Sequence, residues 1–336
     1  LVISYTFDFS KAKKVKTRKL GNTDLNLTTV GLGTWAMGGP WQFGWGPQDD
    51  SQAIASILKA LDIGINWIDT APIYGCGHSE ELVANALKQT SAKPLIATKC
   101  GLLWNEKREK TECLDADSII NECDDSLKRL DIETIDLYQM HWPIPDNQIE
   151  EAFEAMAKLV KQGKVRHIGI SNCTTDQLKR IRKIHPVASL QPPYSMLKRT
   201  FEDNLADYCK QNNIGVIVYS PMQRGLLTGK FNYERLKKLA PDDHRLKHHD
   251  FNDLPFSTTM ELVENLKPIA EKNNITLAQL AISWVLRSNI VTAAIVGARR
   301  PDQITETAKA SDIELSSEDI NKIETLLKQR QEKLNN

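Results

Sequence analysis

The sequence offers its six cysteines no partners by pattern. Cys76, Cys100, Cys113, Cys123, Cys173 and Cys209 form no C-x-x-C pair, and no Cys/His spacing fits a zinc site. That argues against a disulfide scaffold or structural zinc and for free thiols in a reducing compartment. No run approaches the roughly 18 consecutive apolar residues of a membrane helix. Charge of either sign is missing as an excess. The 43 Lys plus Arg balance 43 Asp plus Glu, so no global basic field exists for nucleic acid or an anionic membrane. The glycine fingerprint of a dinucleotide-binding doubly wound sheet is also missing. Gly31 and Gly33 lack a third glycine, and Gly75 and Gly77 have Glu80 where it would fall. There is no Walker-type phosphate loop, linker composition, internal repeat or low-complexity tract.

What is present is ordinary for a globular chain: 336 residues, 41% apolar and 26% charged. A chain this long buries about three quarters of its unfolded surface without a staple. Short β-rich apolar runs occur at 29–33, 65–69, 94–98, 135–140, 165–170, 187–191, 214–219 and 291–296. They are mostly continuous rather than alternating, as strands buried on both faces are. Helical periodicity lies between them. Ile54, Ile57, Leu58 and Leu61 repeat it before Gly64, and Leu82, Val83, Ala86 and Leu87 repeat it behind a Ser79 cap. Ile120, Cys123, Leu127 and Leu130 follow. Leu277, Leu280, Ala281, Trp284 and Val285 sit behind Thr276, and a last helix starts after Ser316 and Ser317.

Eight strands with helices between them predict a (β/α)8 TIM barrel, with a doubly wound sheet as runner-up. Residues 15–20 and 25–30 flank the turn 21–24 and read as an N-terminal β-hairpin that plugs the barrel's N-terminal mouth. The stretch between the seventh and eighth strands is long. Its polar run from Asn232 to about Ser257 predicts a solvated loop at the catalytic face. Residues 15–330 are expected as one domain, 1–14 as an N-terminal extension and 331–336 as a C-terminal tail. The opening residues lack a basic leader and a small-residue cleavage site, so a signal peptide is not expected.

Chemistry on such a barrel sits at the C-terminal strand ends. There the sequence puts Asp69 and Tyr74 after the second strand, Lys99 after the third and His141 after the fourth. Singly, each has a bland reading as turn residue, packing, solvated charge or scaffold. Four at successive equivalent ends point instead to one site.

The stretches DTAPIYG with GHSEE, IATKCG, IDLYQMHWP, GKVRHIGISN, VYSPMQRGLLTGK and IVGARRPDQITET carry a resemblance. Over about residues 15 to 328 the chain resembles the aldo-keto reductase superfamily, in the branch of general stress proteins and pyridoxal reductase-like enzymes. The resemblance implies a metal-free oxidoreductase that reduces carbonyl compounds with NADPH, the cofactor binding before the substrate. It implies a catalytic tetrad of Asp69, Tyr74, Lys99 and His141. Proton donation suits Tyr74, whose phenol has an ordinary pKa near ~10. Lys99 is expected to lower that value, Asp69 to hold Lys99, and His141 to orient the carbonyl oxygen, its protonation state open.

The same resemblance implies a cofactor site. Gly33, Thr34, Trp35 and Asp69 form one wall. Ser171, Asn172 and Gln191 hold the carboxamide, and Tyr219 stacks on the nicotinamide. Ser220, Pro221, Met222, Gly225, Leu227, Gly229 and Lys230 form a loop over the diphosphate. Gly297, Arg299, Arg300, Gln303, Glu306 and Thr307 surround the adenosine end. Thr307 stands where many family members have Asn. Arg299 and Arg300 read either as 2′-phosphate ligands, favouring NADPH, or as solvated surface arginines.

Trp41, Trp45, Trp104 and Trp142 are the candidate substrate box, with plain loop packing equally open for Trp41 and Trp45. His244, His248 and His249 read as part of a solvated insertion rather than a metal site. The expected partner is a small-molecule carbonyl substrate, with no nucleic acid and no membrane, in the cytoplasm. Oligomeric state stays undecided. A rival reading is an NADPH-binding redox sensor or interaction module resembling potassium-channel β subunits. A second rival, a metal-assisted barrel hydrolase, lacks convergent ligands at the strand ends.

Overall fold

The computed structural model describes residues 15–335. The expected extension 1–14 lies outside the described residues. Eight parallel strands close into a barrel: β1 (Val30–Gly33), β2 (Trp67–Asp69), β3 (Leu95–Cys100), β4 (Ile135–Met140), β5 (Val165–Ser171), β6 (Ser189–Gln191), β7 (Gly215–Val218) and β8 (Ala293–Gly297). Sequential strands are neighbours, and β8 returns to β1 through Ile295↔Gly31 and Gly297↔Gly33. This is the (β/α)8 TIM barrel expected from the sequence. The registers Gly33↔Asp69, Lys99↔Gln139 and Gln191↔Ser171 bring the polar strand ends to one level.

Helices α1 (Asp50–Asp62), α2 (His78–Leu87), α3 (Ala116–Leu130), α4 (Ile149–Lys161), α5 (Thr175–Ile181) and α6 (Leu205–Gln211) follow the first six strands. The seventh crossover holds α7 (Tyr233–Lys237), α8 (Asp253–Lys272) and α9 (Leu277–Leu286). After β8 come α10 (Pro301–Thr307) and α11 (Ser317–Asn335), the latter running through the expected tail. Apolar helix faces pack on the outer strand faces around Ile57, Val83, Ile119, Phe153 and Trp284. Local chemistry agrees. Asp49 caps α1, Thr276 and Gln279 form a capping box on α9, and Ser316 caps α11. Ser79 departs from expectation. Helix α2 starts two residues earlier, behind Gly77 at φ +95°, and the Ser79 hydroxyl donates to Thr34 Oγ1 at 2.7 Å.

The floor of the barrel is built by the hairpin Thr17–Lys19 and Asn26–Thr28. Leu20, Leu25 and Leu27 enter an interior cluster with Trp67, Ala97, Leu137, Ile217 and Ile295. The Trp67 indole fills the space where a Cβ on Gly31 would stand, 2.0 Å away, and donates to Thr28 O. The expected plug is therefore present. A second hairpin, Leu102–Trp104 with Lys110–Glu112, stands at the opposite, catalytic end and had no alternating signal in the sequence.

Candidate active site

Asp69 ends β2 and Lys99 is the last residue but one of β3, so the pleat sends both side chains toward the same end of the barrel interior. The Lys99 ammonium is fully buried and spends its donors on Asp69 Oδ1 at 2.7 Å, Thr70 O at 2.9 Å and Tyr74 Oη at 3.1 Å. Tyr74 hangs from the turn between β2 and α2. That turn is pressed against the loop after β1. A Cβ on Gly75, at φ +65°, would stand 2.1 Å from Gly38 O, so the contact requires glycine. His141 follows β4, with its ring 5.7 Å from the Tyr74 ring in an edge arrangement. The four residues expected to converge are thus brought together.

Their electrostatics differ from the sequence expectation in one respect. Burial raises the Tyr74 phenol above its ordinary value, and the opposing pull of Lys99 does not cancel it, partly because Asp69 adds a push upward. The expected net lowering is therefore corrected to a net rise. Burial alone would pull Lys99 down. The adjoining Asp69 carboxylate and the Tyr74 oxygen outweigh it, so the ammonium is held charged. Burial, then the positive charges of Lys99 and Lys110, drive His141 well below the usual histidine range. Its ring is neutral at pH 7, which settles what the sequence left open.

These groups open into a cleft of about 870 Å³ that runs from His141 to α10. Gly33, Trp35, Asp69, Ser171, Asn172, Gln191 and Tyr219 line it, as do Ser220, Pro221, Met222, Gly225 and Lys230. Gly297, Arg299, Arg300, Gln303, Glu306 and Thr307 line its far end, and Trp41, Trp45 and Trp142 its near wall. Lys99 stays sealed behind Tyr74, and four residues expected to line the cofactor or substrate site do not reach the cleft. Thr34 is buried against Asp69 O and Ser79. Leu227 sits in the core around the barrel. Gly229, at φ +72°, makes a turn against Leu277. Trp104 packs beside the Arg129 guanidinium, 5.9 Å from its ring centre.

A hydrogen-bonded belt ties the inner wall. Gln191 Nε2 donates to Asp69 Oδ2 at 2.8 Å, and Ser171 Oγ to Gln191 O. Asn172 Nδ2 donates to His141 O at 3.0 Å, and the Tyr219 hydroxyl to Asn172 Oδ1 at 2.8 Å. At the outer end Arg299 reaches across to the loop after β1. It donates to Gln48 Oε1, Trp45 O and Pro47 O. Among the described residues, Arg300 meets only the exposed Asp302 carboxylate, at 3.2 Å.

Several lining residues escaped the sequence reading: Lys110, Arg224, Phe231, Arg235, His244 and Arg245. The polar run after Asn232 is not simply solvated. Arg245 is buried, grips Asp243 with two nitrogens and lies 4.4 Å over the Trp45 ring. The His244 ring packs 5.1 Å from Phe43. Charged residues without periodicity gave no signal for this. Among the described residues, no group of three His, Cys, Asp or Glu side chains could hold a metal.

The cleft fits an acceptor-rich ligand. Among the described residues, seven buried side-chain polar atoms lack a hydrogen-bond partner, and five of them belong to cleft residues: Trp41, Trp45, His141, Arg224 and His244. With the cationic side chains at its outer end, this suits a phosphate-bearing dinucleotide.

The Aldo/keto reductase family model matches residues 29–328. The chain is 37% identical over 313 residues to the aldo-keto reductase YhdN of Bacillus subtilis (strain 168), covering 92% of each. It is 34% identical over 315 residues to the NADH-specific methylglyoxal reductase of Escherichia coli (strain K12), covering 89% of this chain and 94% of that protein. Among solved structures, the glycerol dehydrogenase AKR11B4 from Gluconobacter oxydans superposes with a TM-score of 0.85 at 37% identity, covering 94% and 95% of the two chains.

Proposed function

This chain belongs to the aldo/keto reductase family, and on that premise we propose that it reduces aldehydes and ketones to alcohols with NADPH, Tyr74 being the proton donor. The observation that carries the reading is the buried Lys99 ammonium, held between Asp69 Oδ1 at 2.7 Å and Tyr74 Oη at 3.1 Å. A reduced nicotinamide dinucleotide bound in the cleft supplies the hydride. The Tyr74 hydroxyl gives its proton to the carbonyl oxygen as the carbon is reduced, and the phenolate left behind is stabilised by Lys99. Asp69 keeps that ammonium charged and fixed. His141, neutral, directs a ring nitrogen at the carbonyl oxygen and holds it beside Tyr74. Asn172, Gln191, Ser171 and Tyr219 present the amide and hydroxyl groups for the carboxamide end, and Trp41 and Trp142 shield the substrate.

Preference for NADPH rests on Arg300. The side chain of Arg299 is engaged with the loop at Trp45–Gln48, whereas Arg300 is held by the exposed Asp302 carboxylate and Arg235 gives one N–H to Lys230 O, so these two guanidinium groups keep donors for a 2′-phosphate. A cytoplasmic setting is supported by six cysteines that are all free.

Loss of NADPH absorbance with a panel of aldehydes tests the reading. Tyr74→Phe is expected to lower kcat by about 10²- to 10⁴-fold while the NADPH Kd, read by tryptophan quenching, is retained. In the same assay NADPH is expected to exceed NADH at least about tenfold in kcat/KM. A Tyr74→Phe protein with most of its activity would overturn the proton-donor assignment, and parity of the two cofactors would overturn the preference.

A further inference from the structure

The reactive half of the cleft holds a cation that the tetrad does not use. Arg224 lies on the turn after β7. Its side chain lines the same cleft as Tyr219 and lies within electrostatic reach of that phenol, which in turn bonds to Asn172 beside His141. The backbone is strained to put it there. Gln223 and Arg224 stand at φ +45° and +54°, in the left-handed region that side chains disfavour. Neighbours hold this geometry. Gln223 Nε2 donates to Asp250 Oδ2 at 2.5 Å, and Ser195 Oγ donates to Gln223 Oε1 at 2.9 Å.

For all that support, the guanidinium makes no hydrogen bond to any described residue, and its Nε is sealed from water. Such a donor is costly unless a ligand supplies the acceptor. Asp250 does not serve, being engaged by Gln223 and by His248 at 3.4 Å.

The charge around it has a pattern. Seven Lys and Arg against three Asp and Glu line the cleft of a chain that is neutral overall. Lys230, Arg235, Arg299 and Arg300 stand toward the α10 end, where nucleotide phosphates would be met. Arg245 is matched by Asp243, and Lys110 by Glu112. Arg224 is the cation at the inner half without an ionic partner among the described residues.

We propose that Arg224 docks an oxyanion, a carboxylate or a phosphate group, at the reactive half of the cleft, and that its carrier is the carbonyl substrate. The carrier assignment rests on the reductase reading; the oxyanion site does not. A guanidinium binds such a group through two parallel N–H donors, which fixes the orientation of the rest of the molecule.

Two variants test this. Arg224→Gln removes the charge. Arg224→Gly removes the whole side chain and accepts the left-handed backbone without strain, so it guards against loss by misfolding. Benzoate, benzamide and NADPH are each titrated by quenching of the cleft tryptophans. The ratio of kcat/KM for 4-carboxybenzaldehyde to that for benzaldehyde is then measured with NADPH.

The native protein is expected to bind benzoate at least about tenfold more tightly than benzamide, and both variants to lose that margin. The kinetic ratio is expected to fall by a similar factor in both, with the NADPH Kd retained. If the variants instead weaken NADPH about tenfold and leave the benzoate margin intact, the oxyanion is the dinucleotide's diphosphate, and the substrate assignment is overturned while the site stands. If neither ligand responds, the site itself is overturned. Failure of the native protein to reduce any aldehyde sinks the reductase reading, and the benzoate titration still decides for Arg224.

Discussion

A lysine that is wholly buried and yet charged needs an anion that stays with it, and Asp69 is that anion. The four residues of this cluster were legible together, because four ionisable side chains follow successive strand ends, although each alone had a bland structural reading. The strength of desolvation was not legible. Burial depends on the loops that cover the site, and it leaves the Tyr74 phenol raised where the sequence predicted a fall. Arg224 was invisible for another reason: only its backbone angle and its missing partner mark it out.

Glu122 is a second case of burial setting chemistry. It accepts from the Gly101 N–H, two residues past Lys99, at 2.9 Å, and from Ser118 Oγ at 3.1 Å. Burial outweighs both bonds and pushes its carboxyl up to about 7. A raised acid favours the protonated folded form. The stability linked to it is present below the unfolded value near ~4.5 and is lost as pH rises through about 7. Above that the cost is on the order of 3 kcal/mol. Glu122→Gln, which keeps a carbonyl acceptor, is therefore expected to match the native protein in urea at pH 4.5 and to exceed it at pH 8. Equal gains at both pH values would contradict this.

Among the elements, the loop after β1 is the most instructive. Its Trp45 is roofed by Arg245 from the seventh crossover and tethered by Arg299 from the turn before α10, so three distant segments form one clasp over the cleft. Helix caps at Thr276 and Ser316 could be read locally, since each needs only its own next turn. The clasp could not, because its partners are remote in sequence and polar in character, and the hairpin of Leu102–Trp104 with Lys110–Glu112 could not, because it lacks an apolar–polar alternation. Arg299→Ala is expected to raise amide hydrogen exchange around Trp45–Gln48 by about tenfold or more, with little change in α11. Unchanged exchange in that loop would show that Arg245 and His244 hold it unaided.

For the molecule as a whole, the barrel was legible from the count and continuity of apolar runs, and its plug from two short flanks around a turn. Leu27 shows what that plug contributes. It is 2% exposed and meets the interior cluster around Trp67. Leu27→Ala is expected to cost about 2–5 kcal/mol, read as a lower urea midpoint. A cost below about 0.5 kcal/mol would mean the hairpin merely rests on the barrel.

The leucine-filled floor also makes the cleft a blind alley. Among the described residues the filled floor leaves no way through, so a guest lodged against it leaves on the side by which it came.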